Sequence, residues 1–309
     1  MMDQIQLDLW NAVFGDNPEA VDRALALGGD PGQPMPSRQF PLWLDYRVKV
    51  RELGENIPPP APLLRELPPS PTDKGEYMLP FSLDNPAVLG RLLAAGANPG
   101  AAYTASGHTP LHLIAWDSNE RSAEAAALLL AAGAPVDKAD GGGNTPLQAA
   151  CFRKADSAFI ALLLARGASV QACNHEGDTA LHLAGYWDEG FLPWPLDILR
   201  LENAPITAET LAIFGNPWGA EEAVAALAAA GADPNVINWR NGNTPMHTAM
   251  CHGYPYLLFL EALHRRGGKA TVPNHLGKRA CDFRCDPDDE KGRELAELFR
   301  LDTDGRKKK

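Results

Sequence analysis

One nine-residue pattern recurs along this chain, and it constrains the fold more than any other feature of the sequence. The first copy, at 107–115, reads GHTPLHLIA. Later copies read GNTPLQAAC, GDTALHLAG and GNTPMHTAM, at 143–151, 177–185 and 242–250. Their threonines are spaced by 36, 34 and 65 residues: Thr109, Thr145, Thr179 and Thr244. A period in the low thirties predicts stacked two-helix repeats, and the last step, close to two units, predicts a decayed copy in between.

The T-P-L-H core of this pattern resembles the ankyrin repeat, and on these residues the chain is identified as a member of that family. The resemblance implies an all-α solenoid of about seven to eight helix-turn-helix units joined by short β-hairpin fingers. Because this architecture presents a contact surface, the resemblance also implies a binding protein rather than an enzyme.

Interruptions of the repeat divide the chain into four segments. Residues 1–31 lack the motif and predict an N-terminal capping repeat. Residues 32–74 contain ten prolines and either replace one repeat or form a proline-rich insertion in a finger, and the insertion is favoured. That insertion is either a functional loop or a plain surface excursion. Ankyrin repeats follow over 75–272, and a C-terminal capping repeat with a basic tail covers 273–309.

Asparagine–proline pairs and glycines predict where helices begin and end. Asn accepts a backbone N–H as the N-cap and Pro tolerates the first helical position, so Asn17-Pro18 and Asn85-Pro86 each open a helix. Glycines in the left-handed conformation close the second helices. The predicted closing glycines are Gly28, Gly96, Gly133, Gly167, Gly231 and Gly267. Between them, an aromatic insertion is predicted at 186–195, a helix at about 196–202 and the decayed copy at 209–215.

The composition of the chain indicates which kinds of partner and which cellular compartment to expect. With 39 acidic and 28 basic residues the net charge is −11, which argues against nucleic acid and suits a basic partner. The longest apolar run, about 125–132, is far shorter than the ~20 residues that a membrane span needs. The N-terminus lacks the features of a secretion signal, and five cysteines without framework spacing fit a reducing cytosol. We therefore expect a cytoplasmic monomer.

Three histidines occupy the same position of their repeats, where Gln148 and Asp282 also stand. They are His112, His182 and His247. The resemblance implies a structural hydrogen bond that ties the hairpin to the helix. Because whole repeats separate these histidines, they are too far apart to share a metal ion. The threonine of each motif is expected to cap its helix, and Pro146 then fills the first helical position.

The sequence offers only weak signals for metal or catalytic chemistry. Cys281, Cys285 and His275 form the best metal candidate, but no fourth ligand lies nearby, and packing explains Cys285 and Cys151 equally well. No catalytic motif is present, so no cofactor, metal or catalytic residue is expected. The alternative of an enzyme would place its site around Cys251, His252 and Asp188.

The predicted binding surface follows the family resemblance, which implies that fingertips and the ends of first helices hold the partner. At the helix ends, aromatic and polar residues recur: Trp116, Asp117, Phe152, Arg153, Tyr186, Trp187, Asp188, Trp218, His252 and Tyr254. At the fingertips stand His175, Glu176, Trp239 and Arg240. Exposed rings in a row are unusual, and Tyr and Trp dominate interface hot spots. Alternatively, some rings fold back on the insertions at 32–74 and 186–195.

The predicted function is a non-enzymatic module that captures one specific protein on its concave face. The Ala-, Leu- and Gly-rich character of the chain is typical of bacterial stand-alone ankyrin proteins. The resemblance then implies an inhibitor, such as an immunity protein that neutralises a cognate toxin. A host-directed effector or a scaffold is the alternative.

Overall fold

The structure, a computed structural model, describes residues 4–33, 78–102, 107–116, 121–153, 155–186, 220–251 and 257–282. The chain divides into two compact units, Met1–Gly141 and Gly142–Lys309. Within the described ranges every regular element is a helix, and the only β feature is an isolated bridge between Pro273 and Arg279. No helix in those ranges is both long and apolar enough to cross a membrane. The predicted all-α solenoid is confirmed.

The first unit contains three helix pairs in its described part. They are α1 (Gln4–Phe14) with α2 (Pro18–Ala26), a 3-10 helix (Leu79–Ser82) with α3 (Pro86–Ala94), and α4 (Pro110–Trp116) with α5 (Ser122–Ala131). First helices pack on first helices, since the 3-10 helix contacts both α1 and α4. Second helices do the same, since α3 contacts both α2 and α5. Apolar side chains such as Leu9, Trp10 and Leu92 are fully buried in this two-layer arrangement.

The helix boundaries of the first unit follow the predicted signals. The side chain of Asn17 accepts a hydrogen bond from Ala20 N at 3.0 Å and caps α2. Asn85 caps α3 in the same way. The glycines after these helices, Gly28 and Gly96, have φ values of 102° and 96°, which side chains rarely tolerate. Both helix starts and both helix ends are thus confirmed.

The contacts between α1, α2, α3 and the 3-10 helix bear on the proline-rich segment. Because the helix pairs before and after residues 32–74 pack directly on each other, no further repeat is stacked between them in the described part of the chain. We therefore propose that residues 32–74 are an insertion rather than a replaced repeat. Residues 34–77 themselves lie outside the described residues.

The second unit by itself also consists of a first-helix layer and a second-helix layer. Its helices are α6 (Pro146–Arg153), α7 (Ser157–Ala165), α8 (Ala180–Ala184), α9 (Ala220–Ala229), α10 (Pro245–Cys251) and α11 (Leu257–Arg265), followed by a 3-10 helix (Ala280–Asp282). In the first-helix layer α8 contacts α6 and α10, and in the second-helix layer α9 contacts α7 and α11. Phe159, Leu227 and Phe259 are fully buried between them.

These contacts correct one prediction, the decayed copy at 209–215. The finger that begins at Asn174 bonds directly to the finger that begins at Asn238, through Asn238 Nδ2 and the Glu176 carbonyl at 3.0 Å. Helices α8 and α9 therefore belong to one repeat, and the step of 65 residues contains extra residues between two helices rather than a further repeat in the stack. The predicted helix at 196–202 and the insertion beyond Tyr186 lie outside the described residues.

Counted over the described residues, the helices form six complete repeats and the start of a seventh, at the lower end of the predicted number. The described fingers are hydrogen-bonded turns rather than pairs of regular strands. In one of them Gly177 N donates to the Asn174 carbonyl at 3.0 Å, and Asn174 N donates to the Asp178 carbonyl at 3.0 Å.

Three fingertip glycines, Gly143, Gly177 and Gly242, leave less space for a side chain than the glycines that end helices do. A pair of substitutions tests this difference. A Cβ on Gly242 (φ 75°) would lie 2.5 Å from His275 N, whereas a Cβ on Gly231 (φ 90°) would meet nothing within 4 Å. We expect Gly231→Ala to cost about 1–2 kcal/mol through backbone strain alone. Gly242→Ala should cost about 1–3 kcal/mol more, because the neighbouring finger must move. Urea denaturation of both variants measures the difference, and equal costs would contradict the close approach.

Candidate interaction surface

The second unit is joined from repeat to repeat by one buried polar position on each first helix. His182 Nδ1 accepts from Thr179 N at 3.2 Å, and its Nε2 donates to the Asn243 carbonyl of the next finger at 3.0 Å. His247 repeats this geometry with Thr244 N and the Lys278 carbonyl. The predicted structural role of these histidines is confirmed, and the structure adds that the bond reaches the following repeat.

Glutamine fills the same position with equivalent bonds. Gln148 Oε1 accepts from Thr145 N at 2.8 Å, while Nε2 donates to the Asp178 carbonyl at 2.7 Å. In the first unit Gln6 bonds to both the N–H and the carbonyl of Asp30, which the sequence analysis missed. The spacing in the sequence could have identified this bond. Gln6 lies 24 residues before Asp30, and Gln148 lies 24 residues before Ala172, whose carbonyl also accepts a hydrogen bond from Gln148.

The last described repeat departs from this pattern. Arg279 stands where the four motif copies have threonine. Asp282 accepts from both the main-chain N–H and the guanidinium of Arg279, at 2.8 and 2.6 Å. The hydrogen bonds from Arg279 lower the pKa of the Asp282 carboxyl to about 2. An ionised carboxylate has no N–H to donate onward, which suits the predicted C-terminal capping repeat.

Burial keeps the joining histidines neutral. It lowers the pKa of His182 and of His247 below the ordinary 6.5, and the hydrogen bond from each Nε2 to a carbonyl opposes this shift. The neutral ring is the form that the geometry requires, since Nδ1 must accept while Nε2 donates. A proton added to Nδ1 would abolish the bond from the threonine N–H.

These histidines make stability depend on pH, and glutamine substitution should remove that dependence. As pH falls below about 6.5, the unfolded histidine takes up a proton before the folded one, so the folded state loses stability. We expect His182→Gln/His247→Gln to unfold near the wild-type urea midpoint at pH 7.5, because Gln148 shows that the bonds are retained.

Between pH 7.5 and 5.5 the urea midpoint of the double variant should fall less than that of the wild type. His264→Gln serves as the control, because His264 lies in the last turn of α11 and takes no part in the joining bonds. An unchanged pH dependence in the double variant would show that other groups cause it.

An aromatic pair lies at the end of the first helices in the second unit. Phe152, in the last turn of α6, is 38% exposed, and its ring meets that of Tyr186 edge-on, with 6.1 Å between centroids. The Tyr186 hydroxyl donates to Asp178 Oδ2 at 3.1 Å. Arg153 follows Phe152 and is half-buried. The structure therefore brings two of the predicted contact rings, Phe152 and Tyr186, into contact. The hydrogen bond to Asp178 fixes the position of the Tyr186 ring.

The four predicted fingertip residues also come together in the second unit. Arg240 Nη1 lies 2.6 Å from Glu176 Oε2 and donates to the His175 carbonyl at 3.2 Å. Its guanidinium carbon lies 5.8 Å from the centroid of the Trp239 ring, within cation–π range. Trp239 is 62% exposed, so a large apolar surface faces solvent beside a salt bridge. These two fingers form one mixed aromatic and charged patch.

In the first unit, Trp116 is the aromatic residue at the end of the first helix α4. Trp116 is 44% exposed, and its ring centroid lies 5.7 Å from that of His108. His108 Nε2 in turn lies 3.4 Å from Asp140 Oδ2. His108 thus packs against the Trp116 ring, while almost half of the side-chain surface of Trp116 stays exposed.

The remaining predicted contact residues lie outside the described residues. They are Asp117, Trp187, Asp188, Trp218, His252 and Tyr254. Trp218 was assigned through the decayed copy, so its placement at the end of a first helix loses its basis. The alternative enzyme site cannot be assembled from described atoms, because it needs Asp188, His252 and the side chain of Cys251.

Within the described ranges, no three His, Cys, Asp or Glu side chains converge as metal ligands do. Cys285 of the candidate metal set lies outside these ranges. Burial raises the pKa of the Cys173 thiol, with a smaller contribution from the nearby Asp178.

The fold and the repeated joining bonds define the class as a helical repeat protein. The ankyrin repeat family model matches residues 106–141 and 142–175. Residues 106–175 therefore consist of two ankyrin repeats, and the described chain as a whole has an ankyrin-repeat fold. No curated protein matches the chain.

Among the solved structures that match is the ankyrin repeat domain of Bcl-3, described as a unique member of the IkappaB protein family. The similarity covers 94% of this chain and 97% of that one, with a TM-score of 0.57 and 20% identity. At this identity the likeness concerns the fold. Ankyrin repeats in general form protein-interaction scaffolds rather than catalytic centres.

Proposed function

We propose that this chain binds one protein partner through the aromatic residues at its fingers and helix ends. One observation carries the proposal: the three aromatic residues that are exposed among the described residues all occupy predicted contact positions. They are Trp116, Phe152 and Trp239. Exposed rings cost free energy in water, so their coincidence with the contact positions of the repeat calls for a functional reason.

The polar neighbours of these rings suit an interface. A typical interface surrounds a few aromatic anchors with polar groups that exclude water and fix the orientation of the partner. Here the Glu176–Arg240 pair lies beside Trp239, and Asp178 holds the hydroxyl of Tyr186. The aromatic anchors would supply most of the binding energy, and the charged groups would select the partner.

The finer role that we propose is inhibition of a basic protein, in the manner of a bacterial immunity protein that neutralises its toxin. The net charge of −11 supports it, because an acidic surface attracts a basic partner over long range and speeds association. The repeat scaffold also supports it, since blocking a partner requires only a complementary surface and no chemistry of its own.

A pull-down with the purified chain as bait tests the proposal, using Trp239→Ala and Phe152→Ala. We expect one partner to be retained by the wild type and its affinity to fall at least about thirtyfold in each variant, the cost of about 2 kcal/mol typical of a hot spot. Leu27→Ala is the matched control, because Leu27 is also a large exposed apolar residue, at the C-cap of α2 rather than in a contact position.

Urea denaturation of every variant checks that it is folded. A partner retained equally by all variants would move the site away from these rings, and the absence of any partner would overturn the proposed function. A captured partner with a net negative charge would contradict the inhibitor role.

A further inference from the structure

A buried carboxylate lies between the aromatic pair and the Trp239 finger. Asp178 is 4% exposed, and each of its two oxygens accepts from a different part of the second unit. Oδ2 accepts from the Tyr186 hydroxyl at 3.1 Å, and Oδ1 accepts from Asn238 Nδ2 at 2.6 Å. Tyr186 follows α8, whereas Asn238 opens the next finger. One side chain therefore connects the two candidate contact surfaces.

Asn238 also accepts hydrogen bonds from the fingertip turn, so it connects Asp178 to that turn. Its Oδ1 accepts from Arg240 N at 2.8 Å and from Asn241 N at 3.3 Å, so it organises the turn that carries Trp239. The indole of Trp239 lies back against Gly177, where a Cβ would come within 3.0 Å of Nε1. The position of Trp239 is thus set by Asn238 and by the residue just before Asp178.

This finger is one residue longer than its neighbours. Its asparagine and glycine, Asn238 and Gly242, are four positions apart, whereas Asn174 and Gly177 are three positions apart and so are Asn274 and Gly277. Asn174 and Asn274 donate from Nδ2 to another asparagine of the preceding finger, Asn144 and Asn243. Only Asn238 donates to a carboxylate among these three. The longer finger therefore has the stronger, charge-assisted anchor.

The chemistry of Asp178 fits this bridging position better than its uncharged analogue would. Burying a carboxylate is costly unless its oxygens are hydrogen-bonded, and here both are. An asparagine offers one acceptor oxygen. With that oxygen facing Asn238, its NH₂ group could only donate to the Tyr186 hydroxyl, and the hydrogen bond from the hydroxyl to a charged oxygen would be lost. Only the carboxylate accepts from Tyr186 and Asn238 at the same time.

We infer that Asp178 is a positioning residue that joins the Phe152–Tyr186 pair and the Trp239 finger into one preorganised contact surface. A partner then meets both surfaces in a single fixed arrangement, without ordering them on binding. The use of the joined surface in binding rests on the proposed function. The connection between the two surfaces, however, exists in the free protein. A test of that connection therefore gives a result whether or not a partner is found.

Hydrogen exchange of the free protein, followed by mass spectrometry, tests the inference with Asp178→Asn and Tyr186→Phe. We expect each variant to exchange about tenfold faster in the peptide that covers 238–243, the effect of losing one charge-assisted hydrogen bond from a local opening. Tyr186→Phe is the decisive variant. It removes one hydroxyl in a different part of the unit, and Asp178 is the side chain that accepts from both that hydroxyl and Asn238 of the finger.

The matched control is Asp233→Asn, which makes the same change of charge at an exposed turn in the same unit, where Asp233 Oδ1 accepts from Asn235 N. It should leave exchange at 238–243 unchanged. The inference fails if Tyr186→Phe leaves the finger at its wild-type rate. It also fails if exchange rises evenly across α7 and α11 together with a lower urea midpoint, because Asp178 would then be a general stabiliser rather than a positioning residue.

Discussion

The hydrogen bond from each first helix to the carbonyl of the following finger is the interaction on which the rest of the second unit depends. In a repeat protein each repeat contacts only its neighbours. The register between one repeat and the next must therefore be set separately at each interface. Gln148, His182 and His247 set it by accepting from their own threonine N–H and donating to the next finger. These groups are fully buried, and a repeat out of register would leave them unsatisfied.

Stacking the fingers in this way also creates the candidate surface. Each fingertip ring lies over the glycine of the finger before it: His175 over Gly143, Trp239 close to Gly177 and His275 over Gly242. Any side chain at these glycines would push the neighbouring ring away. These glycines therefore permit the close stacking of the fingers. They also leave room for large rings at the exposed tips, where a partner can reach those rings.

The sequence predicted the repeated contacts well because they depend on local chemistry. The caps Asn17 and Asn85, the closing glycines and the histidine position each follow from which residue type satisfies a helix end or a buried donor. It failed at the decayed copy, because a spacing of 65 residues counts chain length and cannot show which helices touch. Direct contact between α9 and both α7 and α11 showed that the extra residues lie within one repeat.

The sequence by itself determined the class of fold, the helix boundaries and the candidate status of Trp239, Phe152 and Tyr186, since all of these are encoded within one period. Only the tertiary structure decided how many repeats are stacked and that Asp178 links two surfaces. A carboxylate between a glycine and a threonine looks like any exposed turn residue in the sequence. Its burial, and the arrival of Tyr186 from one side and Asn238 from the other, arise only when consecutive repeats pack together.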